Sequence, residues 1–193
     1  MRPPASPVIC WNSRESNMVS LIFFFWMLVI LFGLIGIFRG WAKELLVSFS
    51  VILSLAFNLL LRLYIPGMNT LEANNLTLFW IRVIILSVLV FFGYQTVSLP
   101  RFAAKAAREK LQDSLLGFIL GAFNGYLIIG AIWFYMAEAG YPFAPYITRP
   151  DQASELGKAA EALIPWLSPN LLGVPWIYFA VMISFIFVLV VFI

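Results

Sequence analysis

The sequence predicts an all-α fold, a polytopic membrane helix bundle of four to five transmembrane helices with short amphipathic interfacial helices. Of the 193 residues, 63% are hydrophobic and 11% are charged, whereas about 25% are charged in an average soluble domain. The mean hydropathy of +0.96 is too high for a water-soluble fold of this size. The apolar residues also lie in runs of about twenty, the length that a helix needs to cross a hydrocarbon core of about 30 Å.

The chain divides into a polar N-terminal extension at 1–17 and a single membrane domain at 18–193. The apolar run that follows the extension is longer than the hydrophobic region of a signal peptide, so it predicts a membrane anchor. Charged or proline-containing breaks separate the later runs. The predicted spans lie at 18–38, 45–65, 78–99, 115–136 and 174–193. The last run is long enough to cross, although no charged residue flanks it at the chain end.

Two polar segments between the spans have the pattern of amphipathic helices. Residues 101–114, RFAAKAAREKLQDS, place apolar residues at approximate helical spacing among basic ones. A basic amphipathic segment of this kind is typical of a helix that lies in the membrane interface. Residues 151–167, DQASELGKAAEALIPWL, predict a second short amphipathic helix.

The basic residues indicate how the chain is oriented in the membrane. They concentrate in the connection after the first span, at Arg39 and Lys43, and in the segment 101–114. The connection after the second span carries Glu72 and no basic residue. Because basic connections stay on the cytoplasmic side of a membrane, we expect a multi-pass protein with its N-terminus outside.

Small residues recur at helical spacing in the first and fourth spans, and both stripes end in charged residues. The stripes and the charged turn beside them comprise Gly33, Gly36, Arg39, Gly40, Lys43, Glu44, Asp113, Gly117, Gly121 and Gly125. Glycine lets two helices approach closely in lipid, so spans one and four are predicted to pack together, with Arg39 or Lys43 neutralising Asp113. The pattern leaves open a homodimer seam, a pore lining or an ion relay at Asp113.

Polar residues inside the predicted spans are few. Asn58 and Asn124 are predicted to form hydrogen bonds between helices. Arg82, one turn inside the third span, is predicted to extend its long side chain to the interface. No acidic residue is predicted at mid-membrane, which disfavours a proton-coupled transporter.

The composition excludes several kinds of site. The chain has no histidine and a single cysteine, Cys10, so Cys/His metal sites are excluded and the commonest general base is missing. No catalytic or nucleic-acid-binding motif appears. The sequence therefore predicts no enzyme activity, no catalytic residue, no cofactor, no metal and no nucleic-acid partner. Its expected partner is the lipid bilayer, with a membrane-protein partner or a homo-oligomer left open.

Two segments resemble the colicin V production protein family (CvpA). They are GLIGIFRGWAKELL at 33–46 and DSLLGFILGAFNGYLIIGAIWF at 113–134. Members of that family have an apolar first helix that ends in an Arg-Gly turn, followed by a Lys-Glu-like pair, and later an Asp that leads a glycine-spaced helix. The matching residues of this chain are Arg39, Gly40, Lys43 and Glu44, then Asp113, Gly117, Gly121 and Gly125.

The chain departs from the family pattern at two points. Asn17 and Ser20 stand where members often carry an acidic residue. The fifth predicted span also exceeds the usual four helices.

The resemblance implies a protein of the bacterial inner (cytoplasmic) membrane that supports colicin or toxin production or export and envelope homeostasis, with no defined catalytic chemistry. Two other classes stay open. One is an accessory structural subunit of a larger membrane complex, which the extra span favours because an added helix can dock a partner. The other is a small channel or transporter, which requires polar groups along a continuous path.

The charge distribution predicts that residues 101–114 are cytoplasmic. A cysteine that replaces Ala104, in a chain whose Cys10 is changed to serine, should not react with a membrane-impermeant maleimide added to intact cells. It should react once the cells are opened. Efficient labelling of intact cells would reverse the predicted orientation.

Overall fold

The computed structural model describes residues 21–65, 75–95 and 110–192, and all regular secondary structure within these ranges is helical. The four long helices are α1 (Leu21–Arg39), α2 (Trp41–Tyr64), α3 (Leu76–Tyr94) and α4 (Lys110–Glu138). Each is long and apolar enough to cross a membrane. The predicted all-α bundle is confirmed, and its four apolar helices are those of a membrane-spanning protein.

Shorter elements follow the four long helices. They are α5 (Glu155–Leu163), a 3-10 turn (Ile164–Trp166), α6 (Ser168–Leu171) and α7 (Trp176–Phe192). The segments Glu155–Leu171 and Trp176–Val190 meet at a bend of 54°, and together they have the length and apolar character of one broken span or a re-entrant loop. α7 packs along α2. That the run 174–193 crosses the membrane stays a prediction.

The turn between α1 and α2 is shorter than the sequence predicted. Gly40 alone separates the two helices, and its φ of 80° is a conformation that favours glycine. α2 therefore begins at Trp41, and Lys43 and Glu44 lie in its first turn. The prediction that these two charges belong to the connecting turn, with a helix from residue 45, was wrong.

The predicted interfacial segments have different outcomes. Residues 110–114 of the first segment belong to α4, whereas 101–109 lie outside the described residues, as does the extension at 1–17. The second segment contains α5, whose Gly157 and Ala160 are buried. Ser154 begins this helix, and its Oγ accepts a hydrogen bond from the Gly157 N–H at 3.0 Å.

α4 is the central helix of the bundle and contacts α1, α2 and α3. α1 runs antiparallel to it, because Gly36 lies against Gly117 and Gly121 while Val29 lies against Gly125. The large exposed side chains of α1, α3 and α7 are apolar, as expected of surfaces that face lipid.

α4 ends in a left-handed turn. Gly140 has a φ of 73° and Tyr141 a φ of 57°, and the Tyr141 N–H donates to the Met136 carbonyl oxygen at 3.0 Å. The Trp133 Nε1–H donates to the Tyr141 hydroxyl at 3.3 Å. Burial raises the pKa of Tyr141, and the Trp133 hydrogen bond opposes that rise. The turn sends the chain back toward α4.

The returning segment is held against the middle of α4 by side-chain hydrogen bonds. The Ser168 Oγ donates to the Leu127 carbonyl oxygen at 2.7 Å, and the Tyr126 hydroxyl donates to the Trp166 carbonyl oxygen. Gly130 leaves room for this approach, since a Cβ built on it would lie 3.5 Å from the Leu167 and Ser168 side chains. The 3-10 turn and α6 therefore pack against the middle of α4 before α7 begins.

Candidate functional site

The two glycine stripes form a direct backbone contact between α1 and α4. A Cβ added to Gly36 would collide with the Gly117 carbonyl oxygen, and one added to Gly117 would collide with the Gly36 carbonyl oxygen. A Cβ on Gly121 would lie 3.0 Å from the Gly36 Cα. Gly33 and Gly125 face side chains, Phe118 and Phe32 respectively. The predicted packing of spans one and four through these glycines is confirmed.

Asp113 caps the start of α2. The Trp41 N–H donates to its Oδ1 at 3.2 Å, and a Cβ on Gly40 would stand 2.9 Å from its Oδ2. A helix N-terminus carries free N–H groups and partial positive charge, so a carboxylate is stabilised there. Among the described residues, no ion pair joins Asp113 to Arg39 or Lys43. The predicted neutralisation by those two side chains was wrong.

Arg39 instead pairs with Glu44, on the first turn of α2. Its Nε lies 2.7 Å from the Glu44 Oε1. The guanidinium also donates to the Tyr94 carbonyl oxygen at the end of α3, at 3.4 and 3.5 Å, and lies 4.5 Å from the centre of the Tyr94 ring. Glu44 is fully buried, with 0% exposure, whereas Lys43 is exposed. One ion pair thus ties α1, α2 and α3 together.

Asn124 completes this polar cluster from the α4 side. Its Nδ2 donates to the Glu44 backbone oxygen at 2.9 Å and to the Glu44 Oε2 at 2.8 Å. The Ser48 Oγ donates to the Asn124 Oδ1 at 2.6 Å. The predicted interhelical bonding of Asn124 is confirmed. Sequence reasoning missed Glu44 as its partner, although Glu44 and Ser48 share one face of a helix at a spacing of four.

A second polar cluster lies at the other end of the bundle. Arg82 is 3% exposed and forms an ion pair with Glu138 at the end of α4. Its guanidinium lies 5.1 Å from the centre of the Tyr135 ring. The Arg62 Nη1 is 3.9 Å from the Glu138 Oε1. Glu138, the last residue of α4, therefore neutralises the Arg82 charge within the protein, and that the Arg82 side chain reaches the interface stays a prediction.

Asn58 lies beside this second cluster, on the buried face of α2 that also carries Glu44 and Ser48. Its Nδ2 is 3.5 Å from the Tyr135 hydroxyl, the only hydrogen bond that the described residues give it. The predicted contact between helices is therefore present, at the long limit of a hydrogen bond.

The buried face of α2 joins the two clusters. Going along the helix, its polar members are Glu44, Ser48, Ser54, Asn58 and, at the exposed end, Arg62. Val51 and Leu127, both 0% exposed, form an apolar layer between the clusters. These buried polar groups can hold the helices in register, and the charged groups at either end of α2 can bind an ion or exchange a proton. Within the described residues, no group of three or more His, Cys, Asp or Glu side chains is placed to hold a metal.

Because the α1 and α4 backbones touch at Gly121, we expect that adding a single methyl group there destabilises the protein, whereas the same change elsewhere on α4 does not. Gly121→Ala should destabilise the protein by about 1–3 kcal/mol, since the Cβ would force α1 and α4 apart. Gly130→Ala is the matched control, because its Cβ meets only ordinary van der Waals contacts and alanine favours the helix. Thermal unfolding in detergent should show a lower Tm for Gly121→Ala and an unchanged or higher Tm for Gly130→Ala. Equal Tm values for the two variants would contradict the contact.

Comparison with protein-family models, with curated proteins and with solved structures finds no match to this chain. The resemblance of its two motifs to the colicin V production family therefore stays a prediction. The site is defined by the chain's own geometry, in which nine of the ten predicted motif residues lie along the α1–α4 contact or at the start of α2 beside it. These nine are Gly33, Gly36, Arg39, Gly40, Glu44, Asp113, Gly117, Gly121 and Gly125.

Proposed function

We propose that this chain is a non-enzymatic, multi-pass protein of the bacterial inner membrane, with its N-terminus outside, that supports toxin production or export and envelope homeostasis. The observation that supports it is the convergence of the two motifs behind the family resemblance. Trp41 and Asp113 are 72 residues apart in the chain, yet a hydrogen bond joins them. The Arg-Gly turn and the Asp-led glycine helix are therefore one structural unit.

The contact between the Arg-Gly turn and the Asp-led glycine helix explains why both motifs need their particular residue types. Gly40 supplies the positive φ and the space that Asp113 fills, and Asp113 supplies the cap that lets α2 begin at once. Gly117 supplies the close approach of α4 to α1. In this chain the two motifs therefore build one three-helix junction, which supports the proposal.

The polar groups of the junction favour a structural role over catalysis. Glu44 is bonded to Arg39 and Asn124, and the Asp113 Oδ1 accepts a backbone hydrogen bond. A catalytic base or nucleophile must be able to reach a substrate. The fully buried carboxylate of Glu44 is instead occupied by partners within the bundle.

The proposal is tested by complementation. A bacterial strain that produces colicin V and lacks its own member of the family should recover toxin release and resistance to envelope stress when this chain is expressed. The Gly121→Ala variant should restore less than the wild-type chain, and Gly130→Ala should restore as much. Toxin release is measured as killing of a sensitive indicator strain, with expression of each variant matched by immunoblot. Failure of the well-expressed wild-type chain in both assays would refute the proposal.

A small channel or transporter is the second candidate, because polar side chains occupy the buried face of α2 near both ends. The Ser54 Oγ, buried near the middle, has no hydrogen-bond partner among the described residues, so that face of α2 keeps one polar atom available between its two ends. Proteoliposomes that contain a pH-sensitive dye should then show a proton flux that Glu44→Gln reduces. Proteoliposomes as tight as protein-free vesicles would exclude proton conduction and leave the structural role.

A further inference from the structure

A cavity of about 180 Å³ lies at the end of the bundle where α2 and α4 end and α3 begins. Its polar lining comprises Asn58, Arg62, Arg82, Tyr135, Glu138 and Asn170, and leucine and phenylalanine side chains form much of the remaining wall. The volume is many times the roughly 10–15 Å³ that one buried water needs. The cavity therefore has room for a ligand group as well as for water.

Two buried polar atoms of the cavity lining lack a hydrogen-bond partner among the described residues. They are the Arg82 Nη2 and the Asn58 Oδ1. The Arg82 side chain is only 4% exposed, and Asn58 is 6% exposed. Nearly all buried polar groups in proteins are hydrogen-bonded, so two unpaired atoms on one cavity indicate a partner other than the described residues.

The formal charges of the described residues around the cavity do not cancel. Arg62 and Arg82 contribute two positive charges, and Glu138 contributes one negative charge, which leaves one positive charge. The Arg62 side chain is 47% exposed, so the excess positive charge lies at the open side of the cavity, where it would attract a monoanion. A guanidinium group also prefers ligands with several acceptor oxygens.

We propose that this cavity binds a phosphate group, held by the Arg82 Nη2 and by Asn58. A phosphodiester carries one negative charge, which matches the excess positive charge, and its oxygens accept hydrogen bonds from Arg82. A half-turn of the Asn58 amide presents its Nδ2 to the same group. Its Oδ1 then faces the Tyr135 hydroxyl, which can donate. One phosphate group thus supplies hydrogen-bond acceptors for both Arg82 and Asn58.

Two sources could supply this chemistry, a phospholipid headgroup and a soluble phosphate. The position at the helix ends is the level of lipid headgroups, and the apolar wall suits the upper part of an acyl chain. The cavity lies at the opposite end of the bundle from the contact of Gly40 with Asp113, so the inference stands independently of the proposed function.

The experiment measures thermal unfolding of the full chain in dodecyl maltoside at constant ionic strength. The three additives are dioleoyl phosphatidylglycerol, dioleoylglycerol, which has the same acyl chains and no phosphate, and inorganic phosphate. Binding should raise the Tm by about 5 °C at a hundredfold excess over Kd. A rise with phosphatidylglycerol alone assigns the site to a lipid headgroup, and a rise with inorganic phosphate assigns it to a soluble phosphate.

Asn58→Asp is the decisive variant. Its carboxylate can pair with the Arg82 Nη2 and cancels the excess charge, so the fold should persist while the phosphate response is lost. Gln112→Glu makes the same charge change on an exposed residue near the start of α4 and should respond as the wild type does. If Asn58→Asp does not fold, Arg62→Gln replaces it and should weaken the response.

Three results would overturn the site. They are no rise of the wild-type Tm with either phosphate compound, an equal rise with dioleoylglycerol, and an undiminished response in the cavity variants.

Discussion

Helix association in lipid cannot rely on the hydrophobic effect, and the structure depends on the backbone contact that replaces it. Gly36, Gly117 and Gly121 bring α1 and α4 close enough for dispersion contacts between their main chains. This contact places the end of α1 beside Asp113 and so fixes where α2 begins. α3, α6 and α7 pack on α2 or α4, and α5 contacts α1, so an error at this junction would propagate through the bundle.

Buried charges impose the second constraint, since each must find a partner within the protein. Glu44 takes its partners from α1 and α4, and Arg82 takes its partner from α4. Breaking a buried pair by removing one partner typically costs about 3–5 kcal/mol, because an uncompensated charge is left behind. The two clusters therefore act against sliding or rotation of the helices, which apolar contacts with lipid on all sides would not resist.

The sequence reveals the contacts that depend on spacing and conceals those that depend on where a helix begins. Glycines at every fourth residue predict a close helix pair, and the partners Gly36 and Gly121 follow from the matching stripe on α1. The partner of Asp113 could not be predicted from charge signs, because the positive end of α2 is a backbone feature that no side chain marks. Glu44 was likewise assigned to a turn, since the sequence does not show that Gly40 suffices to make one.

The two ends of α2 differ in how completely their polar atoms are bonded, and this difference bears on function. At the Glu44 end, Glu44, Ser48 and Asn124 bond to one another, and the cavity of about 240 Å³ beside them, between α2, α4 and α7, is lined mostly by apolar side chains. At the Arg82 end, the buried donors and acceptors exceed their partners, and a cavity lies beside them. The end at which buried polar atoms lack partners is also the end whose described residues carry the charge excess. Selection for stability alone would favour an apolar residue over an orphaned Asn58, so the polar residue at that position is best explained by a ligand or water that bonds to it.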